Sequence, residues 1–258
     1  VREDPVRPGL LYLGTENGMY VSFDDGTSWS SLQGNLPHAP VHWLNIQPHF
    51  NDLVVATYGR GFWIMDDVTP LQQMNAEVLA SDAHLFAPRP AYRFRNRQGI
   101  QSQPGDPGAG RNPQNGALIT FYLKDVPEEG VALGIYDSEG DKVTSLSSSS
   151  LRPGLNRTIW GFRERSSESA RLRTEPDEHS HIDMPDRGWR PLPDGGRVTP
   201  LAPPGTYTVR MTVGELVLEQ PLEVVKDPNS AGTVEDIEAQ VALARQLRTA
   251  AGETVEVV

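Results

Sequence analysis

A short pattern recurs near the start of the chain. Gly18-Met19-Tyr20-Val21 lines up with Gly61-Phe62-Trp63-Ile64 at an offset of 43 residues, and Asp24 with Asp67 at the same offset. Each copy sits in a set of brief apolar runs separated by turn residues. The first set is 10–15, 19–22 and 29–32, with Glu16-Asn17-Gly18 between its first two runs; the second is 41–46, 53–57 and 62–65. Brief apolar runs bounded by Gly, Asn and Asp read as strands, and Asn-Gly between two of them reads as a hairpin. A period of about 40–45 residues with three or four strands per unit is the spacing of propeller blades. A propeller closes only with about four or more blades, and this chain holds fewer than two. One open blade leaves an apolar face and a sheet edge uncovered. The pattern therefore predicts that residues 1–71 are covered by further units, on the parent polypeptide or on another chain.

Between the second and third runs of the first unit stands Ser22-Phe23-Asp24-Asp25-Gly26-Thr27-Ser28-Trp29. Side chains such as Ser22 and Asp24 fold back onto the backbone of a tight turn. Gly26 supplies a positive φ without steric cost, and Trp29 opens the next strand with its ring over the turn. These eight residues resemble the Asp-box of bacterial neuraminidase repeats, with Ser28 where that family more often has Thr. The resemblance implies a staple inside a propeller blade, made by Ser22, Asp24, Gly26 and Trp29, and implies no activity. Residues 54–71, with Gly59-Arg60-Gly61-Phe62 and then Asp66-Asp67-Val68-Thr69-Pro70, look like the last blade of large secreted bacterial proteins grouped as sortilin-like or BNR-repeat glycosyl hydrolases. That likeness implies a secreted or periplasmic location. Tyr58, Arg60 and Trp63 then become the residues to face a ligand. The Arg60 fork suits a carboxylate ligand, with a structural ion pair as the competing role. The arginine triad and Tyr-Glu pair of sialidases cannot be assembled here. Xyloglucan hydrolases use aspartates on two blades, of which at most one is present.

Residues 72–115 read as a connector, with a short helix near its start, Pro88 and Pro90 near its middle, and a Gly-, Pro-, Asn- and Gln-rich loop over 101–115. Residues 89–97 alternate Arg with apolar side chains, the pattern of a strand with Arg toward solvent. Strands then follow at 117–123, 131–136, 142–146, 155–162, 206–213 and 216–224, an all-β spacing that suits an immunoglobulin-like sandwich over 116–226. Ile135-Tyr136-Asp137-x-x-Gly140, Pro153-Gly154-Leu155-Asn156 and Ala202-Pro203-Pro204-Gly205-Thr206-Tyr207 resemble the immunoglobulin-like repeat of flagellar hook-capping proteins. Residues 164–200 interrupt the sandwich as a polar insertion, exposed enough to serve as a contact surface. Thr233 with Asp236 three residues on predicts a helix of about 18 residues with Val234, Ile237, Val241 and Ala244 on one face. Glu235, Asp236 and Glu238 would lie at its positive end, Arg245 and Arg248 at its negative end. Residues 227–258 form this helix and the tail.

The net charge of −11 excludes a phosphate-backbone partner, whose footprint is clustered Lys and Arg. Cysteine is absent, which removes disulfides and thiolate metal sites. No apolar run reaches the roughly 20 residues of a membrane span. Val1-Arg2-Glu3-Asp4-Pro5 is neither a start nor a signal peptide, as expected of a piece of a longer protein. His179, His181 and Asp183 could hold zinc on an extended segment, with a solvated loop as the bland reading. Asp24, Asp25, Asp66 and Asp67 carry calcium-type oxygens, with turn stapling and strand exit as theirs. No cofactor is required. The expectation is an all-β chain that serves as a binding or scaffold module for protein or glycan. The rivals are part of a glycoside hydrolase with its carboxylates upstream, and an accessory subunit of a larger bacterial assembly.

Overall fold

Strands separated by tight turns dominate the computed structural model, which describes residues 1–94, 110, 113–147, 150–173, 185–191 and 196–257. β1 (Arg2–Glu3), β2 (Leu11–Gly14), β3 (Met19–Ser22) and β4 (Ser30–Ser31) form one antiparallel sheet in chain order. β5 (Val41–Gln47), β6 (Asp52–Thr57) and β7 (Phe62–Met65) form a second. The two are built alike. In the first, Tyr12 pairs with Val21 and Gly14 with Met19; in the second, Val54 pairs with Ile64 and Ala56 with Phe62. The connecting turns close through the same pair of hydrogen bonds, the second over one residue more. Thr15 donates through N and Oγ1 to the Gly18 carbonyl, and Thr57 does the same to Gly61.

One face of each sheet enters a shared core. Leu10, Tyr12, Met19 and Val21 from the first sheet meet Leu44, Ile46, Leu53 and Val55 from the second. Gly14 makes the close approach possible, since a Cβ there would lie 2.8 Å from the Val41 Cβ and closer still to its methyl. A buried network locks the start of the chain to the exit from the second sheet. The Asp4 carboxylate accepts from Val6 N, Arg7 N, Tyr12 Oη and Gln72 Nε2, and Gln72 in turn bonds Asn51.

Two short helices follow, α1 (Thr69–Gln73) and α2 (Ala76–Ala80), the second capped by Asn75 Oδ1 on Val78 N at 2.8 Å. The segment expected to be a connector then supplies strands. β8 (Ala83–Leu85) pairs with β10 (Ala117–Leu123), which also pairs with β13 (Gly154–Trp160). β9 (Ala91–Arg93) pairs in parallel with β17 (Leu216–Lys226), at the edge of a five-stranded sheet completed by β12 (Lys142–Leu146), β11 (Ala132–Tyr136) and β16 (Gly205–Val213). The sheets face each other across one core, into which β10 sends Ala117, Ile119, Phe121 and Leu123, all fully buried. Pro221 lies inside β17 opposite Thr208, where a missing N–H is tolerated because β9 pairs only with Val224 to Lys226.

Three expectations are corrected here. Arg93 does not point to solvent: it is half-buried and its Nε donates to the Ala202 carbonyl at 2.9 Å. The polar insertion is not solvated at its base. Glu164 and Ser167 are buried, Glu164 N bonds Pro200 O, Ser167 N bonds Val198 O, and farther out β14 (Arg171–Leu172) pairs with β15 (Arg190–Pro191). The last helix, α3 (Val234–Val257), runs for 24 residues rather than 18, or about 36 Å. Its cap is reciprocal, Thr233 N to Asp236 Oδ2 and Asp236 N to Thr233 Oγ1. Arg245 and Arg248 are therefore in mid-helix, away from the terminal dipole, and serve another purpose. No helix among the described residues is long and apolar enough to cross a membrane.

Candidate functional site

The turn after β3 satisfies itself. Ser22 Oγ donates to Asp24 Oδ1 and accepts from Gly26 N, both at 2.8 Å. Asp24 also receives Ser28 N at 2.8 Å and Ser28 Oγ at 2.6 Å, while Trp29 Nε1 donates to Gly26 O at 3.1 Å. Asp25 and Gly26 both take positive φ, 57° and 85°. The Ser28 and Ser22 donors hold the Asp24 carboxyl down at about 2. An aspartate whose oxygens are so engaged within its own turn is a staple. Calcium binding by Asp24 gains no support from this geometry.

Of the three residues expected to face a ligand, the structure places two in solvent. Tyr58 is exposed and stacks on His42 with ring centroids 5.4 Å apart, and the Arg60 side chain is exposed. Trp63 is turned the other way. It packs against the shared core of the two sheets, and its Nε1 bonds the Arg60 carbonyl at 2.9 Å, as Trp29 bonds Gly26. Trp63 is thus a second turn staple.

The outward side of β5–β7 is apolar and open. Trp43 is 61% exposed, Phe62 80% and Ile64 60%, with Val54 and Ala56 between them across the ladder. At the edge of this patch the Arg2 guanidinium lies 4.2 Å from the Trp43 ring, and its Nε donates to Leu44 O. Exposed apolar side chains gathered on one sheet face make it a candidate interaction surface.

Asp66 and Asp67 lie where the second sheet gives way to α1. Asp67 is buried, takes φ 56°, accepts from Thr69 N and lies 3.8 Å from Arg89 Nε. Arg157 on β13 donates to the carbonyls of Asp66 and Asp67 at 2.9 and 3.0 Å. Burial, with Asp52 adding to it, pushes the Asp66 carboxyl above its ordinary value. Asp67 thus holds the exit from the sheets through its carboxylate, while Asp66 contributes its main-chain carbonyl.

At the other end, the buried Glu164 at the base of the arm grips α3. Arg245 reaches it through Nη2 at 2.7 Å and Nε at 3.0 Å, and Arg248 through Nη1 at 3.2 Å. An open groove of about 940 Å³ lies beside the start of α3, lined by Arg93, Phe94, Arg163, Lys226, Asp236 and Gln240 among others. The sequence carried no sign of the Glu164 clamp. Its members are 81 and 84 residues apart, although Arg245 and Arg248 do share a helical face. The Phe62 and Ile64 surface had a sign in the repeat itself, which aligns those residues with Met19 and Val21. His179, His181 and Asp183 lie outside the described residues. Among the described residues no group of three or more His, Asp or Glu is placed to hold a metal ion. No protein-family model, curated protein or solved structure matches this chain.

Proposed function

We propose that this chain is the closing part of a BNR-type β-propeller joined to an immunoglobulin-like sandwich, and that it works as a non-catalytic binding or scaffold module of a secreted or periplasmic protein. The observation that carries the reading is the repeat. Two sheets share the same ladder register and the same Thr-to-Gly closing bonds, with turns that differ by one residue, and one carries a Ser22–Trp29 turn with the hydrogen bonding expected of an Asp-box. For the sandwich, support comes from Tyr207, whose hydroxyl donates to the Pro203 carbonyl at 2.7 Å at the start of β16, the arrangement of a tyrosine corner. Trp160 packs edge-on against Tyr207 in the core beneath it. The ligand is protein or glycan, met by the Tyr58–Arg60 loop and by the polar insertion 164–200. The side chains that other propellers use for glycoside cleavage were not assembled from the sequence, and the aspartates described above are engaged in turns and joints.

The test is isolation of the protein from its native source, with intact mass and sequencing of every copurifying chain. The expected result is an exported polypeptide, or a tight complex, that contains further 42- to 43-residue repeats of this type. A 258-residue chain recovered alone from the cytoplasm overturns the reading.

A further inference from the structure

The first three strands of one sheet have the same pairing as the three of the other, so the paired residues of β1–β3 have counterparts in β5–β7. Tyr12, Gly14, Met19 and Val21 of the first sheet correspond to Val54, Ala56, Phe62 and Ile64 of the second. Arg2, paired with Tyr12, corresponds to Asn45, paired with Val54. In the first sheet Tyr12, Met19 and Val21 are buried, at 0%, 2% and 3% exposure, and they are buried against the second sheet. In the second, Phe62 and Ile64 lie open at 80% and 60%. The face that the first sheet buries is the face that the second exposes.

This sheet-on-sheet contact joins two different faces, and such head-to-tail contacts propagate until a ring closes. We propose that the outer face of β5–β7 is a docking surface for a third sheet of the same repeat, supplied by another repeat of the parent polypeptide; this rests on the module reading above. The interface already present inside the chain sets the chemistry of the partner. Its near face carries large aliphatic side chains at alternate positions on two strands, as Leu44 and Ile46, and Leu53 and Val55, do toward the first sheet. A donor on its neighbour reaches its edge carbonyl, as Arg2 reaches Leu44 O. Ala56 stands where the first sheet has Gly14, and a Cβ at Gly14 would collide with Val41. At the same sheet spacing, the partner residue facing Ala56 is therefore shorter than valine.

The experiment places the photocrosslinking residue benzoylphenylalanine at position 62, and separately at 64, in the polypeptide expressed as its native source makes it. Both positions are exposed in residues 1–258, so the substitution leaves this part folded. The same probe at position 2 is the control and gives an intrachain link to β5, where Arg2 lies over Trp43. The expected products from 62 and 64 are links to a peptide of another repeat in the same polypeptide, within an alternating aliphatic strand. Links to residues 10–22 of a second copy overturn the proposal, as do links to a protein without the repeat. Further repeats found in the polypeptide but unlinked from 62 and 64, with the position 2 control working, also overturn it and leave the module reading intact. Absence of such repeats defeats the module reading itself.

Discussion

At the scale of single residues, two positions decide how the first sheet is made. Asp24 holds its turn through Ser28 N, Ser28 Oγ and Ser22 Oγ, and these bonds favour the charged carboxylate. Its folded value, about 2, lies below its ordinary 3.8. A group depressed in this way contributes stability that is present in full above its unfolded value and is lost as pH falls through its folded value. Unfolding of the wild-type chain is therefore expected to steepen with acid between about pH 4 and pH 2. Asp24→Asn removes that part of the pH dependence, read from urea midpoints across the range; an unchanged profile would contradict the staple. Gly14 is the other position. Its lack of a Cβ lets Val41 approach, so Gly14→Ala overpacks the contact between the sheets and is expected to cost about 1–3 kcal/mol. Shortening the opposing side chain with Val41→Ala in the same protein recovers part of the loss. Such a non-additive pair is the mark of direct contact, and equal costs with and without Val41→Ala would place the strain elsewhere.

Among elements, α3 has little apolar support. Of its described apolar side chains only Val241 is buried, while Leu243 and Leu247 face solvent at 57% and 54%. What holds its middle is the Glu164 carboxylate between Arg245 and Arg248. Glu164→Gln keeps the shape and removes the charge. The expected cost is about 1–2 kcal/mol, at the low end for charged hydrogen bonds because Arg245 is 46% exposed and screened by water. Hydrogen exchange is expected to quicken across residues 234–257 and to stay unchanged in β10; uniform protection would show that Val241 alone suffices. The helix itself was legible in the sequence because Thr233 and Asp236 announce its start, whereas its end was not, since α3 runs through Gly252, where 18 residues would have ended it. The long strands β10, β16 and β17 were legible from their apolar runs. β8 was not, because a three-residue strand has no period to detect; the alternation over 89–97 did mark the strand that contains β9, but not that its Arg93 turns inward to Ala202. Both strands exist because the two sheets have edges to fill. The burial of Glu164 was equally hidden, since its partners come from a helix more than 80 residues away.

For the whole molecule, the repeated sheets and the sandwich are joined too firmly to move as beads on a string. Arg7 wraps the exit segment, donating to the carbonyls of Leu71, Gln72 and Met74. Gln73 and Ala87 exchange two hydrogen bonds at 2.9 Å. Between the bodies sits a small apolar cluster of Met74, Val78 and Phe86, against which Phe23 packs from the repeated sheets and Tyr122 and Leu155 from the sandwich. The repeat revealed the first body and the strand spacing the second, but this joint was invisible in the sequence, because its members come from a stretch without periodicity. Its energetics follow from burial. Phe86 is 1% exposed, and truncating a buried phenylalanine costs about 3–5 kcal/mol through lost transfer energy and the cavity left behind. That sum is a large part of the stability that couples two bodies of this size. The wild-type chain is expected to unfold in one calorimetric transition, with calorimetric and van't Hoff enthalpies equal. Phe86→Ala is expected to separate two transitions, and hydrogen exchange assigns the earlier one to residues 1–71, whose outer face is open to water, while β10 and β16 keep their protection. Two transitions already present in the wild type, or one lowered transition with equal enthalpies in the variant, would mean that the cluster does not govern the coupling. The second outcome would shift the coupling to the polar ties, among them the Arg157 bonds to the Asp66 and Asp67 carbonyls, the Arg89–Asp67 ion pair and the packing of Tyr92 on His49 and Phe50, and Arg157→Ala would then be the next substitution expected to separate the two transitions.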